Sequence, residues 1–266
     1  MSIPPVVDAH AHIFTRQMPL APGAWTRPDY DFTVEQYLAL LDEHGIAFGV
    51  IAACSPFGSN NDYTLDALRR FERLRATVIV EPGISRATLA EMAGGGVVGV
   101  RLQLRNVAEL PDLRAVPYRE LLGSLADLGL HVELLARGAD LPDLLPPLIE
   151  GGVKLVLDHF ADPDPRLGPQ SPGFLAALRA VENGRTWIKM SATTRIAPAV
   201  VKACAASLLA NAGTGRLLWG SDAPFIGHEA TAHYADTLRM FESMVPDPRQ
   251  RHEISLTALR TFFYGE

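Results

Sequence analysis

Two histidines separated by one residue, His10 and His12, lie in the otherwise apolar segment Val6–Phe14 near the beginning of the chain. If this segment is a β-strand, its side chains alternate between two faces, and both imidazoles lie on the same face. Two imidazoles on one face can bind a single ligand. A pair of hydrogen-bonded core histidines is the alternative, because so short a motif also arises by chance.

Two further polar residues, His159 and Asp222, end apolar segments with the composition of β-strands, in "LVLDHF" and "LLWGSD". Strand alternation gives each of them the same face as the residues two and four positions earlier, which are Leu155 and Leu157 before His159, and Leu218 and Gly220 before Asp222. This pattern predicts that both polar residues end inward-facing layers of a barrel. Asp158 has the opposite parity, so we expect it to face the helix layer or to orient a neighbouring side chain.

A third group of polar residues lies in "VRLQLR", where Arg101, Gln103 and Arg105 share one face of a strand and Leu102 and Leu104 share the other. Charges that face a barrel interior need a partner. Each arginine therefore forms either a structural ion pair or a contact with a bound carboxylate, which suits the planar fork of a guanidinium.

Eight apolar segments with strand character alternate with segments of helical periodicity, and glycine or proline lies at most of the joins. Thr33–His44 shows the clearest helix signal, a capping box formed by Thr33 and Gln36. A further helix is predicted after Pro248. The predicted strands are Val6–His12, Phe48–Ala53, Thr77–Glu81, Val98–Leu104, Leu130–Leu135, Val153–His159, Trp187–Ser191 and Leu217–Asp222.

Alternating strands and helices predict a parallel sheet, and eight repeats predict its closure into a (β/α)8 TIM barrel of the α/β class. The length of 266 residues suits one such domain, and no linker or repeat divides the chain, so residues 1–266 are predicted to form a single domain. Reactive groups of these barrels lie where strands end and βα loops begin. His10, His12, His159 and Asp222 all occupy such positions.

The composition points to a small-molecule partner. A net charge of −6 without a basic block argues against nucleic acid or an anionic membrane as the main partner. Met1–Pro5 carries neither a basic segment nor an apolar signal core, which predicts a cytoplasmic protein. Cys54 and Cys204 are too few for a disulfide framework and are expected to be reduced, buried thiols. The oligomeric state leaves no signal in the sequence.

The set formed by the histidine pair, the later histidine and the final aspartate resembles the amidohydrolase superfamily. The similarity is greater to its 2-pyrone-4,6-dicarboxylate lactonase group and extends over nearly the whole chain. The matching stretches are "DAHAHIF", "SPFGSNNDYTLDAL", "GVRLQLR", "GLHVEL", "LVLDHFADPDPRLGP", "TWIKMSATTRIAP" and "LLWGSDAPF".

This resemblance implies a hydrolase that opens an anionic lactone without a required metal or other cofactor. It implies that Asp222 activates water while His10, His12 and His159 donate hydrogen bonds to the lactone carbonyl oxygen. The substrate-holding positions of the group correspond to Tyr30, Ser55, Arg101 and Arg195, and Arg105 lies nearby.

The chain departs from the group at its recognition end. Leu135 and Phe225 stand where relatives have tyrosine and histidine, and Asp162 follows His159 where the lactonases have Gly-Arg. An acid in place of an arginine should repel a second substrate carboxylate. We therefore expect a lactone with fewer carboxylates than the pyrone dicarboxylate, of a sugar-acid or muconate type.

Two other functions fit the same residues. In the first, the protein is a divalent-metal-dependent amidohydrolase or decarboxylase that binds zinc or manganese through His10, His12, His159 and Asp222. Against this, strand four lacks the bridging lysine of the superfamily, and strand five has no histidine at its reactive end. In the second, the protein binds a carboxylate without catalysis, since fold alone does not guarantee chemistry.

Overall fold

Eight parallel β-strands form one sheet in sequence order in the computed structural model, which describes residues 3–265. An isolated parallel bridge between Ala11 and Ala223 joins the first strand to the segment after the last, and closes the barrel. The predicted (β/α)8 architecture is confirmed. The strands are β1 (Val7–Ala11), β2 (Phe48–Ile51), β3 (Leu74–Val78), β4 (Val97–Gln103), β5 (His131–Leu135), β6 (Lys154–Leu157), β7 (Thr186–Met190) and β8 (Leu217–Trp219).

Helices surround the barrel, and the predicted capping box is present at the first of them. The Thr33 hydroxyl accepts a hydrogen bond from the Gln36 amide, and the Gln36 side chain accepts one from the Thr33 amide. The helices are α1 (Val34–Glu43), α2 (Asp62–Arg70), α3 (Arg86–Gly94), α4 (Val116–Asp127), α5 (Leu141–Glu150), α6 (Pro172–Val181), α7 (Pro198–Asn211), α8 (Tyr234–Met244) and α9 (Pro248–Leu259). Helix α9 is the additional helix expected after Pro248.

Most predicted strands agree with the structure to within a few residues, and β3 shows the largest shift. The prediction followed the apolar run up to Glu81, whereas the strand begins at Leu74 and ends at Val78. Beyond this point the side chain of Asn61 pairs with both the amide and the carbonyl of Ile79, which takes that residue out of the ladder. Across residues 3–265, none of the helices combines the length and the apolar character that crossing a membrane requires.

The barrel interior has an apolar floor, to which the end of the chain contributes Phe262. The side chains that form it come from several strands: Val7, Ala9, Val50, Val156, Trp187 and Leu218. Leu155 and Leu157 instead pack in the layer between sheet and helices, so the prediction that they share an inward face with His159 is wrong. The inward residue of β6 is Val156, and His159 reaches the interior because the chain enters a left-handed turn at that residue.

Strand β1 also departs from simple alternation. Its pairing register with β2 shifts between Asp8 and Ala11, which marks an irregularity of the β-bulge type. Val7 and Ala9 lie on the apolar floor, yet His10 contacts buried polar groups inside the barrel as well. The shift allows His10 and His12 to share the interior while Asp8 contacts Tyr234 on the helix side.

Candidate active site

Four side chains from three distant parts of the sequence converge at the carboxyl ends of the strands. The Oδ1 atom of Asp222 lies 3.6 Å from His10 Nε2, 3.5 Å from His12 Nε2 and 3.9 Å from His159 Nε2. All four residues are buried. The arrangement places three imidazoles around one carboxylate, so a small ligand at this point contacts hydrogen-bonding groups on several sides.

Left-handed turns bring two of these side chains into position. His159 begins a run of four successive residues with φ between 47° and 60°, and Asp222 has a φ of 67°. Non-glycine residues in this region cost about 1 to 3 kcal/mol each, and such strain persists only where the surrounding structure holds it. Backbone hydrogen bonds hold the second turn, because the Asp222 amide donates to the His10 carbonyl at 2.8 Å.

Asp8 supports the same turn from the helix side. Its carboxylate accepts hydrogen bonds from the Ser221 amide at 2.8 Å, from the Ser221 hydroxyl at 2.6 Å and from the Tyr234 hydroxyl at 2.9 Å. Gly220 permits the close approach of β8 to β1, since a Cβ atom there would lie 2.5 Å from the Cβ of His10. Sequence reasoning missed Asp8, although an acid inside an apolar strand was a signal that it needs buried partners.

Below the four converging residues lies a buried charge cluster, formed by Arg101, Glu133, Asp158 and Lys189. Lys189 Nζ is 2.6 Å from Glu133 Oε2 and 3.4 Å from Asp158 Oδ1. The Arg101 guanidinium lies 3.0 Å from Glu133 Oε1 and 2.9 Å from Asp158 Oδ2. Two cations and two anions therefore compensate one another where solvent is excluded, as buried charges require.

Two members of this cluster differ from the sequence-based expectations. The expectation that Asp158 faces the helix layer is wrong, because its backbone is still extended and it shares the inward face of Val156. The alternative, that it orients neighbours, agrees with its contacts to Arg101 and His10. Glu133 was missed. Its signal was the alternation in β5, where it shares the inward face of His131 and Leu135.

Lys189 also contacts His10, with 3.0 Å between Nζ and Nδ1. His12 differs, because its Nδ1 lies 2.8 Å from the carbonyl oxygen of Ala52, a group that only accepts. His159 pairs through Nδ1 with the Ser191 hydroxyl at 2.9 Å. The three imidazoles thus have different second partners: an ammonium at His10, a carbonyl at His12 and, at His159, a hydroxyl that can either donate or accept.

Burial and neighbouring charges lower the pKa values of two of these histidines and of Asp222, which favours neutral imidazoles beside an ionised carboxylate. Burial, followed by the charge of Lys189, lowers the pKa of His10 well below its ordinary range. Burial likewise lowers the pKa of His159 to about 4. For Asp222 burial alone would raise the pKa, but the charges of Arg195 and His159 outweigh it and hold that pKa far below its usual range. Asp222 is therefore an anion that Arg195 contacts at 2.9 Å.

A cavity of about 160 Å³ opens above the converging residues. Four of the five predicted substrate-holding residues, Ser55, Arg101, Arg105 and Arg195, line it. Tyr30 instead packs on Phe14 and donates a hydrogen bond to Glu229 at 2.9 Å. The lining residues are His12, Trp25, Cys54, Ser55, Pro56, Arg101, Gln103, Arg105, Asn106, Leu135, His159, Arg195, Asp222 and Ile226.

Trp25 is a lining residue that sequence reasoning missed. Its side chain donates a hydrogen bond from the indole nitrogen to the Ser55 hydroxyl at 3.1 Å, although 47% of the residue is exposed. An aromatic residue in the loop after β1 carries no local signal of this contact. Arg105, which also lines the cavity, pairs with Asp162 at 3.2 Å, and we call these two residues the rim pair. The cysteines agree with expectation, since Cys54 and Cys204 are free and buried.

The fold and the converging residues define a TIM-barrel enzyme site at the carboxyl ends of the strands, of the histidine and aspartate type. The chain belongs to the amidohydrolase family, whose model matches residues 7–263.

Characterised and structurally solved relatives agree with this family. The chain is 30% identical over 237 residues to the 2-pyrone-4,6-dicarboxylate hydrolase of Comamonas testosteroni, covering 82% of this chain and 76% of that protein. It is 26% identical over 258 residues to the 4-sulfomuconolactone hydrolase of Hydrogenophaga intermedia, covering 93% and 84%. A protein of Acinetobacter baumannii assigned as a 2-pyrone-4,6-dicarboxylic acid hydrolase, with citric acid bound, superposes with a TM-score of 0.92 at 30% identity, covering 97% of this chain and 99% of that one.

Proposed function

We propose that this protein is a hydrolase that opens the ester bond of a small anionic lactone. The observation that carries the proposal is the set of three imidazoles around the Asp222 carboxylate, at the base of a cavity lined by Arg105 and Arg195. The relatives support it, because those named after an activity on lactones are similar to this chain along most of its length. The citric acid in the Acinetobacter baumannii structure supports a carboxylated ligand.

In the proposed reaction, Asp222 accepts a proton from water while the water oxygen bonds to the lactone carbonyl carbon. Imidazole N–H groups that face the site stabilise the negative charge that develops on the carbonyl oxygen. When the tetrahedral intermediate collapses, the ring carbon–oxygen bond breaks and Asp222 returns the proton to the leaving oxygen. General base catalysis contributes about 10² to 10⁴ in rate, and one well-placed donor about 3 to 4 kcal/mol.

The histidines do not act alike in this scheme. His12 donates from Nδ1 to the Ala52 carbonyl, so its Nε2 is a donor only when the ring carries both protons. In its neutral form His12 is an acceptor beside Asp222. His10 is then a neutral ring that can polarise the carbonyl, and so is His159 when the Ser191 hydroxyl donates to its Nδ1.

Arg195 connects recognition to this reaction. It contacts Asp222 at 2.9 Å, and its side chain is 29% exposed. A substrate carboxylate that draws Arg195 away leaves Asp222 a stronger base. The rim pair of Arg105 and Asp162 offers a second carboxylate a cation that is already compensated. A lactone with one carboxylate, related to but distinct from the pyrone dicarboxylate, therefore suits the cavity best; a sugar-acid lactone is the alternative.

A divalent ion is the second candidate for this site, because ligand atoms of His10, His12 and Asp222 lie within 4.8 Å of one another. His12 fits a metal ligand, since such histidines donate their other ring N–H to an acceptor. His10 does not fit, because its Nδ1 faces the Lys189 ammonium at 3.0 Å. We therefore propose that the reaction requires no metal.

A panel of lactones tests the proposal. Acid release is measured for an uncharged lactone, a monocarboxylated lactone and the pyrone dicarboxylate, with and without a chelator, alongside the metal content of the protein. We expect hydrolysis that survives chelation and a higher kcat/KM for the monocarboxylate. Loss of activity on chelation with recovery by zinc or manganese would establish the metal-dependent alternative. Carboxylate binding without any ring opening would establish a binding protein.

We further propose that the protein acts in the cytoplasm and has no nucleic-acid partner. The net charge of −6 and the two free cysteines support this placement.

A further inference from the structure

Lys189 is a buried lysine for which the proposed reaction has no step. It lies on β7 with no exposed surface, and its ammonium has three neighbours: Glu133, Asp158 and His10. Two of these contacts compensate its charge. The third, to His10 Nδ1 at 3.0 Å, is to a residue of the proposed reaction.

We propose that Lys189 is a positioning residue that holds His10 in the tautomer with its proton on Nε2. An ammonium group has three hydrogens and no lone pair, so it can only donate. The Nδ1 atom of His10 must then accept, and the single proton of the neutral ring is on Nε2. That atom lies 3.6 Å from Asp222 Oδ1, on the side of the reaction.

Asp158 competes with Lys189 for the Nδ1 atom of His10 and would favour the other tautomer. Its Oδ1 lies 3.3 Å from His10 Nδ1 and would accept a hydrogen bond if Nδ1 carried the proton. The lysine contact is the shorter of the two, and a proton on Nδ1 would face the ammonium hydrogens. Glu133 at 2.6 Å compensates the charge of Lys189, which leaves that lysine able to donate to the imidazole.

His12, which follows strand β1 directly, shows the opposite arrangement. Its Nδ1 faces the carbonyl of Ala52, which forces the proton onto Nδ1 and leaves Nε2 as an acceptor. The two histidines of the pair therefore present unlike atoms to the carboxylate between them. His10 is a donor and His12 an acceptor when both rings are neutral.

This inference rests on the proposed function for its consequence, because a donor at His10 Nε2 polarises the lactone carbonyl. Without Lys189 the ring can turn its proton to Nδ1 and donate to Asp158, and the Nε2 donor is lost. The loss of one donor to the developing oxyanion lowers kcat by about 10² to 10³-fold. KM should change little, since the donor acts mainly on the transition state.

Nitrogen NMR of the ¹⁵N-histidine-labelled wild-type protein tests the tautomers directly. His10→Asn and His12→Asn variants assign the signals. We expect an unprotonated Nδ1 and a protonated Nε2 for His10, and the reverse for neutral His12. A protonated Nδ1 at His10, with or without a proton on Nε2, would overturn the proposal.

Lys189→Met then tests the cause. We expect the His10 proton to move to Nδ1 and kcat to fall, whereas Lys202→Met, at an exposed lysine of α7, should change neither. The double variant Lys189→Met/Glu133→Gln removes an anion together with the cation and serves if the single variant does not fold. An unchanged His10 signal in a folded Lys189 variant refutes the positioning role. If the wild type opens no lactone, the proposed function fails while the nitrogen signals still decide the tautomer.

Discussion

Two adjacent layers of ionisable side chains lie at the carboxyl ends of the strands, and they differ in burial and in pairing. The upper layer, formed by His12, His159, Asp222 and Arg195, lines the cavity. The buried charge cluster beneath it consists of four side chains that are at most 2% exposed and ion-paired with one another. His10 lies between the layers and contacts both.

The difference indicates a division of tasks. In the lower layer each charge has a partner of opposite sign, so its members fix geometry and contribute to stability only as a set. In the upper layer, Arg195 pairs with Asp222 beside the cavity, where a ligand carboxylate can compete for the guanidinium. Substitutions in the upper layer should therefore change the rate more than the stability, and those in the lower layer should change both.

Asp222→Asn provides the largest expected effect and the sharpest test of the upper layer. The amide cannot accept the proton of water, so kcat should fall by about 10² to 10⁴-fold. The free energy of unfolding, measured by denaturant titration, should fall only modestly, because Asn keeps the volume and the ion pair that is lost is with Arg195, whose side chain is partly exposed. Turnover within tenfold of the wild type would show that Asp222 is not the base.

Glu133→Gln tests the lower layer. It leaves Lys189 without its nearest anion and Arg101 without one of its two, and breaking a buried ion pair costs about 3 kcal/mol or more. Denaturant unfolding measures this loss. Glu150→Gln removes the exposed partner of Arg114 and should have little effect. Equal stability of the two variants would contradict the division between the layers.

Arg195→Gln tests recognition at the boundary with solvent. A charge-assisted hydrogen bond to a substrate carboxylate contributes about 1.5 to 3 kcal/mol, which corresponds to about 10- to 100-fold in kcat/KM. An uncharged lactone should lose less, because it makes no such bond and Asp222 is released from Arg195. If both kinds of lactone lose activity equally, Arg195 has no role in recognising a carboxylate.

Asp162→Asn is expected to give the smallest effect and tests whether Asp162 compensates the charge of Arg105. The pair of Arg105 and Asp162 is partly exposed, with side-chain exposures of 48% and 28%, and such pairs are weak. The substitution leaves Arg105 uncompensated, so the ratio of kcat/KM for a dicarboxylated over a monocarboxylated lactone should rise by about fivefold or less. A fall in this ratio would refute repulsion by Asp162.

Local sequence patterns predicted the elements well wherever the chain is regular. The Thr33 capping box appears as expected, and in β4 the alternation correctly separates inward Arg101 from Leu102 and Leu104, which pack against the helices. The same rule failed in β6, where the strand ends at Leu157 and left-handed turns follow. Alternation holds only while the backbone stays extended.

Periodicity and composition were enough to predict the order of strands and helices, the closure into a barrel and the chemical types of the residues at the strand ends. Tertiary structure alone decided the partners: Lys189 for His10, Arg195 for Asp222 and Trp25 for Ser55. Those contacts join residues far apart in the chain. Their geometry depends on a register shift, left-handed turns and the approach of neighbouring strands, which no local pattern encodes.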